Sequence, residues 1–334
     1  MLHMVEPGGR GGVYQHAVAV AQAATRAGRP VTLHTADDCE FVPQDVSLCR
    51  CVRWRRNLPG PLKKVASAGA YAKTLAHLAS VLRPEDGLHF QGSYKLPLTW
   101  ATLLTGKLRA KKVIFSPHNT FARDDSRISA WFLKRCIRTA STTVAYSQAD
   151  LAAVTAFGGN GVLEPLIQSA PSLDPAAVQR WIERWDPRGR AVVLFAGQLR
   201  ADKRLDLVIK AAATGSAPEE IVVAVVGEDK GAETSNRRLA DELGVPVRWD
   251  VRYVSLEDFA AALAAADLVV CPYDRASQSG VLSLARLYGA RTVATAVGGL
   301  AELADVTVPP DDALALADGI RRAMKLPRRA LALV

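Results

Sequence analysis

A chain of 334 residues is long for one hydrophobic core and comfortable for two domains of about 150 residues each. Apolar residues make up 49% and charged residues 22%, which excludes a disordered or fibrous chain, and no tract is long and apolar enough to span a bilayer. The net charge is +9, yet no nucleic-acid module or aromatic platform accompanies the basic residues, so nucleic acid is not an expected partner.

The opening residues MLHMVEPGGRGG lack the apolar core of a signal peptide, and a cytoplasmic protein is expected. The first strand is short, around His3 to Val5, and runs into Pro7-Gly8-Gly9-Arg10-Gly11-Gly12. Val13, Ala17, Val20, Ala21 and Ala24 then line one side of a helix that stops before Gly28, and Val31-Thr32-Leu33 begins a second strand. This βαβ unit lacks the G-x-G-x-x-G dinucleotide fingerprint and has no acidic residue closing its second strand, so it is not a nicotinamide or flavin site. Its bare backbone still lets a ligand approach closely.

Cys39, Cys49, Cys51, Cys136 and Cys271 are odd in number and scattered, which excludes a disulfide framework. Cys49 and Cys51 alternate onto one face if they lie on a strand, and no metal is expected on them. Between Arg50 and Lys64 there are six cationic residues and no acidic one. The segment suits an anionic acceptor or the inner membrane face as a peripheral contact, and equally a solvated basic loop.

Helical stretches near 66–82, 97–106 and 127–140 separate strands at Leu88–Phe90, Val113–Phe115 and Thr142–Tyr146. That alternation predicts a parallel, doubly wound domain over residues 1–165. Residues 166–190 read as a linker with a Trp-containing helix. A second series over 191–311 has strands at 191–195, 221–226, 251–254, 268–271 and 292–295. Residues 312–334 form a last helix and tail expected to return to the first domain. The fold class is therefore α/β: two Rossmann-like doubly wound domains facing across a cleft between their carboxyl edges, where ligands of open α/β sheets bind.

Within the second series, the buried strand in DLVVCPY feeds a helix that starts near Ser279, its apolar side set by Val281, Leu282, Leu284, Leu287 and Tyr288. The Ser/Gly loop between them, Ala276 to Gly280, leaves backbone N–H groups and the positive end of a helix dipole at the sheet edge. Such a site takes an anion, and diphosphate is the obvious candidate.

The segments FAGQLRADKRLDLVIKAA, VVGE, RYVSLEDFAAALAAADLVVCPYDRASQSGV and TAVGGLAEL resemble the nucleotide-binding half of the retaining glycosyltransferases of family 4, which have the two-domain GT-B architecture. GGVYQHAVAVAQAATRAGRPVTLHT and SPHNTF are similar to its acceptor half. The resemblance implies a hexosyltransferase that moves a sugar from a UDP- or GDP-type donor to the hydroxyl of a glycan, lipid-linked or small-molecule acceptor. It implies Gly197, Gly227, Glu228, Tyr253, Val254, Ser277, Gln278, Ser279, Gly280 and Val281 as donor-binding residues. Gly11 and Gly12 match the family's glycine loop, and His118, directly after Pro117, the histidine set against the donor sugar. Departure of the diphosphate needs positive charge where negative charge develops, and Arg200 and Lys203 lie just past a strand end to supply it. No D-x-D occurs in the chain, which fits chemistry with no metal and no cofactor.

Two departures stand out. The family's glutamate pair falls on Ser277 and Ala285, and its usual arginine on Gln198, so this is a variant with an SQSGV loop. A GT-B epimerase or phosphorylase, or a sugar-nucleotide-binding subunit without turnover, are the other readings.

Overall fold

The computed structural model describes residues 1–54, 60–93, 95–121, 126–168, 170–214 and 221–329, with only the backbone described at 60–64. It divides into two compact units, Met1–Ser169 and Ala170–Val334. In the first, β1 (Leu2–Glu6), α1 (Gly11–Arg26), β2 (Val31–Ala36), β3 (Ser47–Val52), α2 (Gly60–Val81), β4 (Gly87–Gln91) and α3 (Leu96–Arg109) come in chain order. They are followed by β5 (Lys112–Ser116), α4 (Arg127–Thr139), β6 (Thr142–Ala145), α5 (Gln148–Ala156) and β7 (Gly161–Leu163). The strands form one parallel sheet in the order β3-β2-β1-β4-β5-β6-β7.

The second unit opens with α6 (Pro175–Trp185), then β8 (Ala191–Ala196), a short 3-10 turn at Ala201–Lys203, α7 (Leu205–Ala213), β9 (Ile221–Gly227), α8 (Glu233–Glu242) and β10 (Val247–Val251). It continues with α9 (Leu256–Ala265), β11 (Leu268–Cys271), α10 (Gly280–Leu287), β12 (Arg291–Thr295), α11 (Leu300–Leu303), β13 (Val306–Val308) and α12 (Ala313–Met324). Its sheet, also parallel, has the order β10-β9-β8-β11-β12-β13. Both units are thus the Rossmann-like α/β folds that the strand and helix alternation predicts.

The apolar runs arise because both faces of each sheet are covered. Along β8 and β9, Val193, Phe195, Val223 and Val225 pack under Leu207, Val208, Leu316 and Ile320 on one side. Val192, Leu194, Ala224 and Val226 pack under Trp181, Trp185, Leu263 and Leu284 on the other. Each such side chain contributes about 1.5–3 kcal/mol of burial, so alternating polar positions have no place here.

Several boundaries differ from expectation. Strand β10 is Val247–Val251, not 251–254, because its partner β9 ends at Gly227, which pairs with Val251 and leaves nothing beyond it to bond. Strands β3, β7 and β13 lie at sheet edges; β7 and β13 have three residues each, and β3, though six residues long, is mostly exposed or half-buried, so the apolar signal fades. The helix expected in a linker, α6, buries Trp181 and Trp185 in the core of the second unit. The closing helix α12 packs on α7, β12 and β13, and the chain after it stays with the second unit through Arg328 on Ala264 and Ala266 and Arg329 on Asp305. Of the basic segment Arg50–Lys64, residues 55–59 and the side chains of 60–64 lie outside the described residues. Among the described residues no helix is long and apolar enough to cross a membrane.

One backbone contact closes the carboxyl edge of the second sheet. Gly197 donates its N–H to Val226, Leu199 to Glu228, and Lys230 donates back to Leu199, so β8 and β9 stay zipped past their ends. Gly227 has φ +147°, and a Cβ there would stand 1.8 Å from the Gly197 carbonyl oxygen. Substituting Gly227→Ala is expected to cost the second unit about 3 kcal/mol or more, from strain and overlap together. Urea unfolding of the variant beside the parent chain measures it.

Candidate functional site

The zipped edge sets the loop after β8. The chain runs from Gly197 (φ +110°) through exposed Gln198 and buried Leu199 to Arg200, then makes the tight turn Ala201–Lys203 and passes through a left-handed Arg204 into α7. Arg200 closes its guanidinium fork on the carboxylate of the next acidic residue: Nε lies 2.9 Å and Nη2 2.5 Å from the two Asp202 oxygens. Partial burial opposes the charge on Asp202, but Arg200, with Lys203 behind it, outweighs burial and holds the carboxyl below its ordinary range.

Lys203 places Nζ 3.4 Å from the ring centroid of Tyr273, which follows β11 and Pro272. A cation held over a buried aromatic face contributes about 0.5–2 kcal/mol and, more to the point, is fixed in position. The Tyr273 hydroxyl lies 3.4 Å from Ser279 Oγ, and Ser279 caps α10 by accepting the N–H of Leu282 at 3.3 Å. Lys203 and the amino end of α10 are therefore joined through one ring. Burial keeps Tyr273 protonated far above the usual phenol range, so it serves as a platform and a hydrogen-bond partner.

The loop before α10 is equally constrained. Gly298 has φ +49°, and a Cβ there would meet the Ala276 carbonyl oxygen at 1.9 Å; Gly299 donates to Ser277. Ser277 and Ser279 are buried, and Gly280 and Val281 are half-buried. Among the described residues Gln278 has both amide atoms buried with no hydrogen-bond partner. A buried amide left this way costs about 1–3 kcal/mol, which a polar ligand or water offsets. A Cβ built on Gly197 would touch Val281 at 3.4 Å, so the end of β8 and the start of α10 are neighbours.

The structure thus brings Gly197, Gly227, Lys203, Ser279, Gly280 and Val281 to one sheet edge. Arg200 is at the same edge but turned into its pair with Asp202. Glu228 is paired with Lys230 at 2.6 Å. Tyr253 is 55% exposed, while Val254 is buried among α9 and its neighbours, so of the two only the tyrosine presents itself at the surface. Ala285, one of the two positions where the family's glutamates fall, is buried in the same apolar cluster. An open groove of about 730 Å³ lies beside the turn, lined by Arg200, Asp202, Arg204, Asp206, Asn236 and Asp274. Its cations are already answered: Arg204 by Asp206 and Asp311, Lys210 by Asp206. At the amino end of α10 the N–H of Leu282 goes to Ser279 Oγ and that of Ser283 to the Ser279 carbonyl oxygen.

In the first unit, Gly11 (φ +71°) starts α1 and gives its N–H to Glu40 Oε2 at 2.9 Å. A carboxylate of the chain itself therefore takes the helix end that the sequence assigns to a ligand. Gly12 is exposed. His118 follows β5 and Pro117 with φ +59° and is buried. Its Nε2 lies 2.9 Å from Gln91 Oε1, and its ring meets those of His16 and Tyr146 at centroid distances of 4.8 and 5.1 Å. Gln91 Nε2 in turn reaches His89 Nε2 at 3.1 Å, where Ser116 Oγ also bonds at 2.8 Å. The amide so oriented donates to His89 and accepts from His118, which makes Nε2 of His118 a donor. Sequence reasoning missed Asp202, Tyr273, Glu40 and Gln91; Pro272-Tyr273 directly after a buried strand was the one readable sign.

Comparison with known proteins agrees with this architecture. Residues 10–161 match the family profile described as Glycosyltransferase Family 4, and residues 190–325 that described as Glycosyl transferases group 1. A D-inositol 3-phosphate glycosyltransferase from a Nocardioides species is 34% identical over 160 residues, covering 42% of this chain and 35% of the relative, so the match spans about a third of that protein's length. The crystal structure of Anabaena HepE in complex with UDP and glucose superposes with a TM-score of 0.72 at 18% identity, over 97% of this chain and 89% of that one. Sucrose-phosphate synthase from Thermosynechococcus elongatus gives 0.75 at 18%, over 99% and 92%. At such identities the likeness to solved structures is one of fold.

The histidine network makes the first unit acid-sensitive. Burial lowers His16 from 6.5 to about 4, and lowers His89 to about 3 with help from the neighbouring His16. A base harder to protonate when folded contributes stability that is intact above the unfolded pKa and falls as pH drops from 6.5 toward those values. At pH 5 each of these imidazoles is expected to cost about 2 kcal/mol. Thermal unfolding from pH 7 to 5 checks it, and His16→Gln is expected to flatten the dependence.

Proposed function

Because the chain carries the two domains of a GT-B glycosyltransferase, we propose that it transfers a sugar from a nucleoside diphosphate sugar to an acceptor hydroxyl, with retention at the anomeric carbon. The observation that carries the reading is the Lys203 ammonium seated on Tyr273, whose hydroxyl meets the Ser279 cap of α10. A fixed cation and a row of helix amides stand at one place, which is the arrangement a departing diphosphate requires.

In this reading the N–H groups of Ser279, Gly280 and Val281 hold the diphosphate. Lys203 meets the charge that develops on it, and Arg200 exchanges Asp202 for phosphate oxygens when donor binds. Gln278 gains the partner its buried amide lacks, and Ser277 lies beside it. Gly197, Gly227 and Glu228 frame the nucleotide at the strand ends, with Tyr253 and Val254 on the next loop. Gly11, Gly12 and His118 of the first unit are assigned to acceptor and sugar, His118 through the Nε2–H donor that Gln91 sets. Protein cations take the place of a divalent metal at the diphosphate. A UDP sugar is the first donor to try, since HepE, of like fold, holds UDP and glucose. Inositol phosphates belong in the acceptor panel because the Nocardioides relative is named for one.

A second reading, a sugar-nucleotide-binding subunit without turnover, draws on Ser277 and buried Ala285 at the two glutamate positions. Product analysis over a donor and acceptor panel separates the two, since the second predicts donor binding and no product. For donor choice, UDP, GDP, TDP and ADP sugars are compared by thermal shift; a ligand at a hundred times its Kd stabilises by about 2.7 kcal/mol. Lys203→Ala is expected to lower turnover about 10²- to 10³-fold with an almost unchanged unfolding transition. Near-parent turnover in that variant removes the assignment of Lys203.

A further inference from the structure

Away from the donor residues, four side chains of the first unit converge. His34 lies on β2, Cys49 and Cys51 on the adjacent β3, and His77 on α2, with one ligand atom from each lying within 4.8 Å of all the others. Cys49 and Cys51 alternate onto the same face, as their spacing on a strand dictates, and Cys49 stands in register with His34. Two edges are resolved: Cys49 Sγ to His77 Nε2 is 3.4 Å and Cys51 Sγ to His34 Nδ1 is 3.7 Å.

These distances suit a metal site. A tetrahedral ion with zinc–sulfur bonds near 2.3 Å and zinc–nitrogen bonds near 2.0–2.1 Å sets its sulfur and nitrogen ligands about 3.6 Å apart. Both resolved edges lie within about 0.2 Å of that figure. The donor set, two thiols and two imidazoles, is the one that selects a borderline-soft ion. An outer shell is also in place. His34 Nε2, the nitrogen not facing the cysteines, lies 3.0 Å from His3 Nδ1, and His3 Nε2 lies 3.5 Å from Asp86. A chain of carboxylate, imidazole and ligating imidazole fixes the tautomer that leaves His34 Nδ1 to bind. His34, His3 and Asp86 are buried, while Cys49, Cys51 and His77 are half-buried and reachable by an ion.

We propose that His34, Cys49, Cys51 and His77 form a tetrahedral site for one Zn(II) ion, bound through His34 Nδ1, His77 Nε2 and two thiolates. Binding releases the two thiol protons to solvent and involves no change of oxidation state. The ion ties the edge strand β3 and its neighbour β2 to α2. None of the four ligands is among the residues assigned to donor, sugar or acceptor, and the ion's role is that of a structural clamp.

The test uses the full chain freed of metal by a chelator and titrated with Co(II), then Zn(II). One equivalent of Co(II) is expected to give the intense visible bands of a tetrahedral ion with a thiolate charge-transfer band, and Zn(II) to displace it and raise the unfolding temperature. Cys49→Ser and His77→Ala are expected to lose these signals, and Cys39→Ser to keep them. His3→Gln, which removes only the outer partner, is expected to weaken Zn(II) binding about 10- to 100-fold. The proposal is overturned if the parent chain shows no thiolate-to-cobalt band, or if Cys49→Ser or His77→Ala binds as tightly as the parent. The parent titration alone decides the matter should a variant fail to fold.

Discussion

The second unit depends on one close approach: the Cα of Gly227 against the carbonyl of Gly197, at a distance that admits no side chain. Because those two strand ends meet, the chain after β8 is held to the chain after β9, and the turn Ala201–Lys203 is delivered to the carboxyl edge of the sheet. The Cβ space beside Gly197 then falls against Val281, so the start of α10 arrives at the same edge. Everything assigned to the donor follows from backbone packing that precedes any side-chain chemistry.

Electrostatics at that edge is arranged in two ways. Lys203 has its charge over a π face, which orients it. Arg200 has its fork filled by Asp202, two residues on. A planar fork bound to a carboxylate is a good mimic of one bound to phosphate, so the pair keeps Arg200 ordered while leaving it able to exchange partners. The same device recurs in the first unit, where Glu40 accepts the N–H of Gly11 at the start of α1. In both places a side chain of the protein satisfies groups that would otherwise be unpaired.

All six histidines of the chain lie in the first unit, as do four of the five cysteines. They form two separate constellations. His16, His89 and His118 share a buried hydrogen-bonded network with Gln91, Ser116 and Tyr146, centred on the strand ends β4 and β5. His3, His34 and His77 gather with Cys49 and Cys51 nearer the β3 edge. The first network sets the tautomer of His118, and the second holds the four side chains proposed as metal ligands. Neither could be separated from the other by composition, since both use the same residue type.

Hydrophobic periodicity by itself determined the parallel α/β architecture, because strands buried on both faces must be apolar throughout, and Val192 to Ala196, Ile221 to Val226 and Leu268 to Cys271 are. It also placed the α10 loop, since a strand, a Ser/Gly stretch and a helical apolar spacing from Val281 to Tyr288 are local features. The edge strands β3, β7 and β13 and the true end of β10 were decided by pairing with neighbours, which no local run records. Tertiary structure alone set Lys203 on Tyr273, seventy residues downstream, turned Arg200 onto Asp202, and joined His34 and His77 to Cys49 and Cys51. The reason is the same in each case: side-chain chemistry at a site depends on distances between elements, and the order of residues fixes those only after the chain has folded.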